Sequence, residues 1–322
     1  MVKQLADPSV SLVTLVVSMA VLAYISRHVI QSVEDLIEIT GLSETSIGFV
    51  LLSVITSTPE ILIAAFAISS NTPALSVGDL LGSNVFNIGI VVGILMLTTG
   101  FLKECPEGLD EVADILLLSS VIPLILVIFK TPTPIIGCGL LAVFVFSVYR
   151  ETKTQTSLSV SVNSNSGKNE GISKTMILLK ILVGTFIVLI SARFTVSSAL
   201  DVASTIGINP ILIGALVVAL GTSLPELSLS IMAVKKGRIR LATANAIGSN
   251  LTNVTLILGA VFLFSFFSPF NINMTEFLEI ISFVLITSLI IWHHMIRGGD
   301  CRLVGTVLIL TYVAFQIFVA IG

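Results

Sequence analysis

Thr56-Ser57-Thr58-Pro59-Glu60 recurs, 166 residues further on, as Thr222-Ser223-Leu224-Pro225-Glu226. The same shift lays Gly82-Ser83-Asn84 and Asn87 on Gly248-Ser249-Asn250 and Asn253, and Arg27, Asp35 and Gly41 on Arg193, Asp201 and Gly207. From Ile47 to Gly93, 13 of 47 positions equal their partners without a gap. Composition alone could align Leu with Leu. It would not align Pro-Glu with Pro-Glu and Gly-Ser-Asn with Gly-Ser-Asn in one register. The chain therefore repeats itself.

Both Pro-Glu copies lie near the middle of long apolar runs. Of 322 residues, 55% are apolar and 11% charged, against roughly 25% charged in soluble domains. A soluble globule, a disordered chain, a coiled coil and a collagen-like fibre are excluded. A net charge of −3 leaves no basic footprint for nucleic acid. Cys105, Cys138 and Cys301 are scattered and read as apolar filler. Ten stretches are long enough to span a bilayer: about 9–27, 46–69, 75–99, 112–129, 133–149, 175–199, 210–234, 241–267, 277–295 and 303–321. The first reads as a span rather than a cleaved leader, because no small-residue cleavage pattern follows it.

Counting Lys and Arg in alternate loops puts 12 on one side and 3 on the other, with Lys180 inside a span. The positive-inside rule then predicts both termini outside and a cytoplasmic linker, in a plasma or inner membrane. The linker is 150–174, the only long polar stretch, and reads as flexible. It separates a first five-helix repeat, 1–149, from a second, 175–322. Five is odd, so the second repeat enters the membrane inverted. The predicted fold is an all-α membrane protein of ten transmembrane helices in two inverted-topology repeats, the plan of secondary transporters with ion sites at the midplane. One chain holds both repeats and is expected to work as a monomer in the lipid bilayer.

The prolines break helices 2 and 7. Proline lacks an N–H and clashes with the carbonyl four residues earlier. Pro59 thus frees the carbonyl of Ile55 and disturbs that of Thr56, and Pro225 does the same to Gly221 and Thr222. Lipid does not tolerate free carbonyls, so these must face protein, a cavity or an ion. An acid at the bilayer centre costs roughly 2.5–3.5 kcal/mol on insertion scales. Glu60 and Glu226 have no intramembrane Lys or Arg placed to pair with both, and need protons or a cation. Carboxylates, carbonyls and hydroxyls are hard donors that suit Ca²⁺. The absence of nearby His or Cys argues against zinc and copper.

Ser83 and Asn87 share one helix face, as do Ser249 and Asn253, with Asp79 and Asn245 one turn earlier. These neutral oxygens read as monovalent-ion ligands, as orienters of the acids, or as packing glue between helices. Asp79, whose counterpart Asn245 is neutral, lies near the outer end of its span. It reads as a partly solvated helix-end acid or, with Asn245, as an accessory ligand. His28, His293 and His294 read as interfacial, at inner span ends.

Gly-Thr-Ser-Leu-Pro-Glu at 221–226 with Ala-Ile-Gly-Ser-Asn-Leu-Thr-Asn at 246–253, and their looser copies at 56–60 and 80–87, resemble the sodium/calcium exchanger family of the calcium/cation antiporter superfamily. The resemblance covers about 300 residues. It implies antiport of Ca²⁺ against Na⁺ by alternating access, with no cofactor. By position it implies Ca²⁺ on Glu60 and Glu226 and on the carbonyls of Thr56 and Thr222. It implies Na⁺ sites formed with Ser57, Ser223, Ser83 and Ser249, and a ring completed by Asn87 and Asn253. Ile55 departs from the glycine kept as Gly221, and Asp79 from the usual Asn. Asn253 stands where some sodium-coupled members carry Asp, and paired asparagines also resemble proton-coupled members. A proton-coupled Ca²⁺ antiporter is therefore the alternative, followed by a passive cation channel or sensor. An enzyme is not expected: an intramembrane aspartyl protease needs two facing aspartates, and only Asp79 is placed for that.

Overall fold

The structure is a computed structural model. It describes residues 8–40, 53–99, 114, 116–118, 120–129, 131–156, 174–235 and 239–321. Every regular element among them is helical. The described residues of the ten apolar stretches are predominantly helical. Seven of these helices are long and apolar enough to cross a membrane, and the chain is an integral membrane protein. Three are shorter: Thr58–Ser69, Leu116–Phe129 and Pro134–Tyr149.

Helix α1 is Pro8–Thr40 and α2 is Thr58–Ser69. Helix α3 runs Pro73–Phe86, becomes π-helical over Asn87–Val92 and continues as Gly93–Thr99. Helix α4 is Leu116–Phe129, α5 Pro134–Thr156 and α6 Lys174–Ile206. Helix α7 is Pro210–Ile213, a π-helical Gly214–Val218 and Ala219–Thr222; α8 is Leu224–Lys235. Helix α9 is Ile239–Thr252, a π-helical Asn253–Ile257 and Leu258–Phe264. Helices α10, Met274–Arg297, and α11, Cys301–Ile321, close the chain.

Both proline motifs interrupt helix, and the breaks fall at Ser57 (φ −81°, ψ 13°) and Ser223 (φ −87°, ψ −1°). Pro59 and Pro225 then occupy the first turn of α2 and α8, where a missing N–H removes no helical bond. Helix α5 continues through Thr156, beyond position 150 where the polar stretch begins. Arg, Glu, Lys and Gln are good helix formers, so lost hydropathy does not end the helix. The rest of the predicted linker, 157–173, lies outside the described residues.

Helices α3 and α9 form the most buried part of the bundle. From Leu75 to Phe86 every residue of α3 is buried. Glycine makes this closeness attainable. A Cβ on Gly78 would stand 1.9 Å from the carbonyl oxygen of Ile211, and one on Gly82 2.4 Å from that of Ala215. Gly214 meets the Leu75 carbonyl at 2.2 Å in the same sense, so α3 and α7 touch backbone to backbone. Gly93 and Gly305 bring α11 close to the end of α3 as well, an added Cβ on Gly305 standing 2.7 Å from the Gly93 carbonyl oxygen.

Helices α1 and α6 pack along each other, outside this centre. Each has 33 residues, or about 50 Å at 1.5 Å per residue. That exceeds a hydrocarbon core of about 30 Å, so each tilts or projects from it. Thr195 of α6 donates to the Ser18 hydroxyl of α1 at 3.0 Å. Elsewhere the two present large apolar side chains outward, among them Val13, Val16, Leu182 and Phe186, as lipid contact requires.

Candidate ion site

The two broken helices and the two Gly-Ser-Asn helices meet in the centre of the bundle. Thr56, Ser57, Glu60, Asp79, Ser83, Asn87, Thr222, Ser223, Glu226, Asn245, Ser249 and Asn253 are all buried, none more than 1% exposed. Twelve polar side chains shut away from water are costly unless they serve one another or a ligand.

Half of them serve one another, in two matching sets. Thr56 Oγ1 lies 3.0 Å from Ser249 Oγ and donates to Asn245 Oδ1 at 3.4 Å. Thr222 Oγ1 lies 3.3 Å from Ser83 Oγ and donates to Asp79 Oδ1 at 3.0 Å. The second set is the first with every residue moved to its repeat partner. The breaks create both sets, since each threonine ends the helix before its break. The threonine hydroxyls also reach back to the carbonyls of Ser53 and Ala219, again a matched pair.

The other half have no hydrogen-bond partner. Both carboxylate oxygens of Glu60 and both of Glu226 are buried and unpartnered, as are the hydroxyls of Ser57 and Ser223 and the side-chain amides of Asn87 and Asn253. These again form matched pairs. Glu60 lies within electrostatic reach of Glu226 and Asp79, and Glu226 within reach of Asp79. Among the described residues no Lys or Arg is buried, so none of these cations is buried with the acids. No three His, Cys, Asp or Glu side chains among the described residues gather as a ready ligand cluster. A cation held here would draw on neutral oxygens as well as acids.

Asp79 is not a solvated helix-end acid. It is fully buried, its Oδ2 has no partner, and its backbone is pressed against Gly214. Helix α7 provides its cover, which the position of Asp79 in its own span does not reveal. His294 is likewise buried, with Nε2 3.6 Å from Cys301 Sγ, whereas His28 is exposed and bonds the Tyr24 carbonyl.

Three features escaped the sequence reading. Asn84 and Asn250 bond each other across the centre. The π-helical turns of α3 and α9 start at the equivalent residues Asn87 and Asn253, and such turns concentrate at functional sites. The carbonyl of Ile55, freed by Pro59, accepts the Thr58 hydroxyl at 2.6 Å. Leu224 stands at the equivalent place before Pro225 and brings no hydroxyl. Only the first could have been suspected, from the repetition of Gly-Ser-Asn.

Comparison with known proteins agrees with this architecture. A family model described as sodium/calcium exchanger protein matches residues 10–153 and 176–321. The sodium/calcium exchanger MaX1 of Methanosarcina acetivorans is 28% identical over 349 residues, covering 96% of this chain and 98% of that protein. The inner membrane protein YrbG of Escherichia coli is 26% identical over 254 residues, covering 76% and 77%. A structure of the sodium-calcium exchanger NCX_Mj, soaked with Na⁺ and no Ca²⁺, superposes with a TM-score of 0.64 at 25% identity, covering 96% and 98%. The H⁺/Ca²⁺ exchanger CAX superposes with a TM-score of 0.78 at 15% identity, covering 96% of this chain and 84% of that one, a likeness of fold alone. Because the family model spans both halves of the sequence, the chain belongs to the sodium/calcium exchanger protein family.

Proposed function

We propose that the chain is a secondary active antiporter, not an enzyme, which exchanges Ca²⁺ for Na⁺ at carboxylates shared between the two ions. The observation that carries the reading is the matched pair of buried acids, Glu60 and Glu226, whose four oxygens lack any partner. A buried unpaired carboxylate is tolerated where a cation completes it. The names of MaX1 and NCX_Mj favour calcium and sodium as its ions.

In this reading Glu60 and Glu226 grip Ca²⁺ with the carbonyls of Thr56 and Thr222. Ser57, Ser223, Ser83 and Ser249 supply Na⁺ ligands, and Asn87 and Asn253 complete the ring. One negative cluster cannot fully hold both cargoes, so they compete, and competition couples the fluxes. The ten-helix, inverted five-plus-five plan gives the site two equivalent mouths. The peripheral pair α1 and α6 slides or rocks on the central bundle to open one at a time. Both termini lie outside and the linker lies in the cytoplasm, and the single chain suffices.

Proton coupling is the second reading. It is favoured by Asn87 and Asn253, which are both neutral where an acid would add charge for a further sodium ion. Ca²⁺ uptake by proteoliposomes separates the readings. Uptake driven by a Na⁺ gradient at equal pH on both sides supports sodium exchange. Uptake that requires a pH gradient and ignores Na⁺ overturns it. Downhill Ca²⁺ flux with no counter-ion would make the protein a channel.

A further inference from the structure

The two matched sets around Thr56 and Thr222 differ in one chemical group. Where Thr56 meets the neutral amide of Asn245, Thr222 meets the carboxylate of Asp79. The second oxygen of Asp79 is buried with no partner, and the carboxyl group lies within electrostatic reach of both Glu60 and Glu226. The Thr222–Ser83 set thus carries a carboxylate where the Thr56–Ser249 set carries an amide.

We infer that Asp79, with Thr222 and Ser83, forms a monovalent-cation subsite that its twin at Asn245, Thr56 and Ser249 lacks. The inference rests on the ion-exchange reading above and adds an asymmetry to it. Charge balance is the reason. One Ca²⁺ brings two positive charges to Glu60 and Glu226 and leaves the buried Asp79 carboxylate without a counter-charge in a low-dielectric centre, where an uncompensated charge is strongly unfavourable. None of the described Lys or Arg side chains is buried to offset it. A carboxylate oxygen beside two hydroxyls offers hard oxygen donors of the kind alkali cations take. The subsite is rigid, because Gly78, Gly82 and Gly214 lock α3 on α7 around it. A monovalent cation at Asp79 remains bound when Ca²⁺ occupies Glu60 and Glu226, whereas the other Na⁺ ions are displaced.

The test is equilibrium binding of radiolabelled Na⁺ to the purified full chain, with and without saturating Ca²⁺. The wild-type chain should keep one Na⁺ in the presence of Ca²⁺. Asp79→Asn preserves the acceptor for Thr222 but removes the charge, and should lose that ion. The exchanged double variant, Asp79→Asn with Asn245→Asp, moves the carboxylate to the twin set and should regain it, which also shows that the loss is not misfolding. If Asp79→Asn keeps as much Na⁺ as wild type under Ca²⁺, or if Ca²⁺ displaces all Na⁺ from the wild type, the subsite is refuted while sodium exchange stands. If the wild-type chain binds no Na⁺ even without Ca²⁺, the subsite and the sodium reading both fall.

Discussion

Asn84 and Asn250 hold each other: Asn84 Nδ2 donates to the backbone carbonyl of Asn250 at 3.2 Å, and Asn250 Nδ2 donates to that of Asn84 at 2.8 Å. The two residues are repeat partners, 166 positions apart. The Thr56 and Thr222 sets are likewise repeat partners of each other, and the reciprocal bond ties α3 to α9. Asn84→Ala and Asn250→Ala each remove one bond and strand a buried carbonyl. Each should lower stability by about 1–3 kcal/mol. The double variant should lose less than the two losses added, since the pair acts as a unit. Thermal unfolding of the purified chain in detergent measures both quantities. Additive losses would show that the asparagines act independently.

The unpartnered acids make stability and function oppose each other. Gln has the shape of Glu without its charge. Glu60→Gln and Glu226→Gln should therefore be more heat-stable than wild type when Ca²⁺ is chelated, because the self-repulsion of buried carboxylates is relieved. They should also bind Ca²⁺ at least about 100-fold more weakly, the equivalent of about 3 kcal/mol for one lost member of a buried charged pair. Unfolding scans in chelator and in Ca²⁺ check both halves. Wild type should gain stability on adding Ca²⁺, and the variants should gain almost none. Substantial Ca²⁺ flux retained by either variant in proteoliposomes would refute a shared carboxylate site.

Much of this was legible in the sequence because it depends on local chemistry. Proline breaks a helix wherever it stands, an acid in an apolar run demands a partner, and a duplicated motif implies a duplicated place. What was not legible depends on the neighbouring helix. The environment of Asp79 is made by α7, which Gly78 and Gly214 admit to backbone contact; its position near a span end pointed to water instead. Burial of His294 likewise comes from packing against its surroundings, and the Asn84–Asn250 bond from the meeting of two helices, α3 and α9. The exact breaks, at Ser57 and Ser223, precede the prolines because a proline in the first turn of a helix is at ease there.

The glycine contacts give a graded prediction. A Cβ on Gly78 or Gly82 would overlap carbonyl oxygens of α7, which are backbone and cannot turn aside. Gly78→Ala and Gly82→Ala should each force α3 and α7 apart and cost about 1–3 kcal/mol, the usual range for overpacking, with loss of Ca²⁺ uptake as the Thr222–Asp79 contact opens. Gly139 on α5 is exposed, with nothing within 4 Å of an added Cβ. Gly139→Ala should instead stabilise the helix by about 0.5–1 kcal/mol. The three variants, compared by melting temperature and by uptake, separate loss of helix contact from any general intolerance of substitution in the chain.

Thr58 and Leu224 make the two proline breaks chemically unequal. The hydroxyl of Thr58 satisfies the Ile55 carbonyl that Pro59 leaves without its helical donor. In the second break Leu224 cannot do this for Gly221, whose small size instead lets the side chain of Met19 on α1 lie against the helix. Thr58→Val keeps the shape and removes the donor. The stranded carbonyl should lower stability by about 1–2 kcal/mol. Leu224→Thr offers a donor to the opposite carbonyl but removes apolar contact, so its net effect on stability should be smaller. The sharper readout is transport. If a bare carbonyl beside Thr222 helps to draw a cation into the site, Leu224→Thr should cap it and weaken Na⁺ binding, while Thr58→Val should strengthen binding at the first break. Opposite shifts in Na⁺ half-saturation, measured on Ca²⁺ uptake, are expected; shifts of the same sign would show that the two carbonyls serve only to hold the helices together.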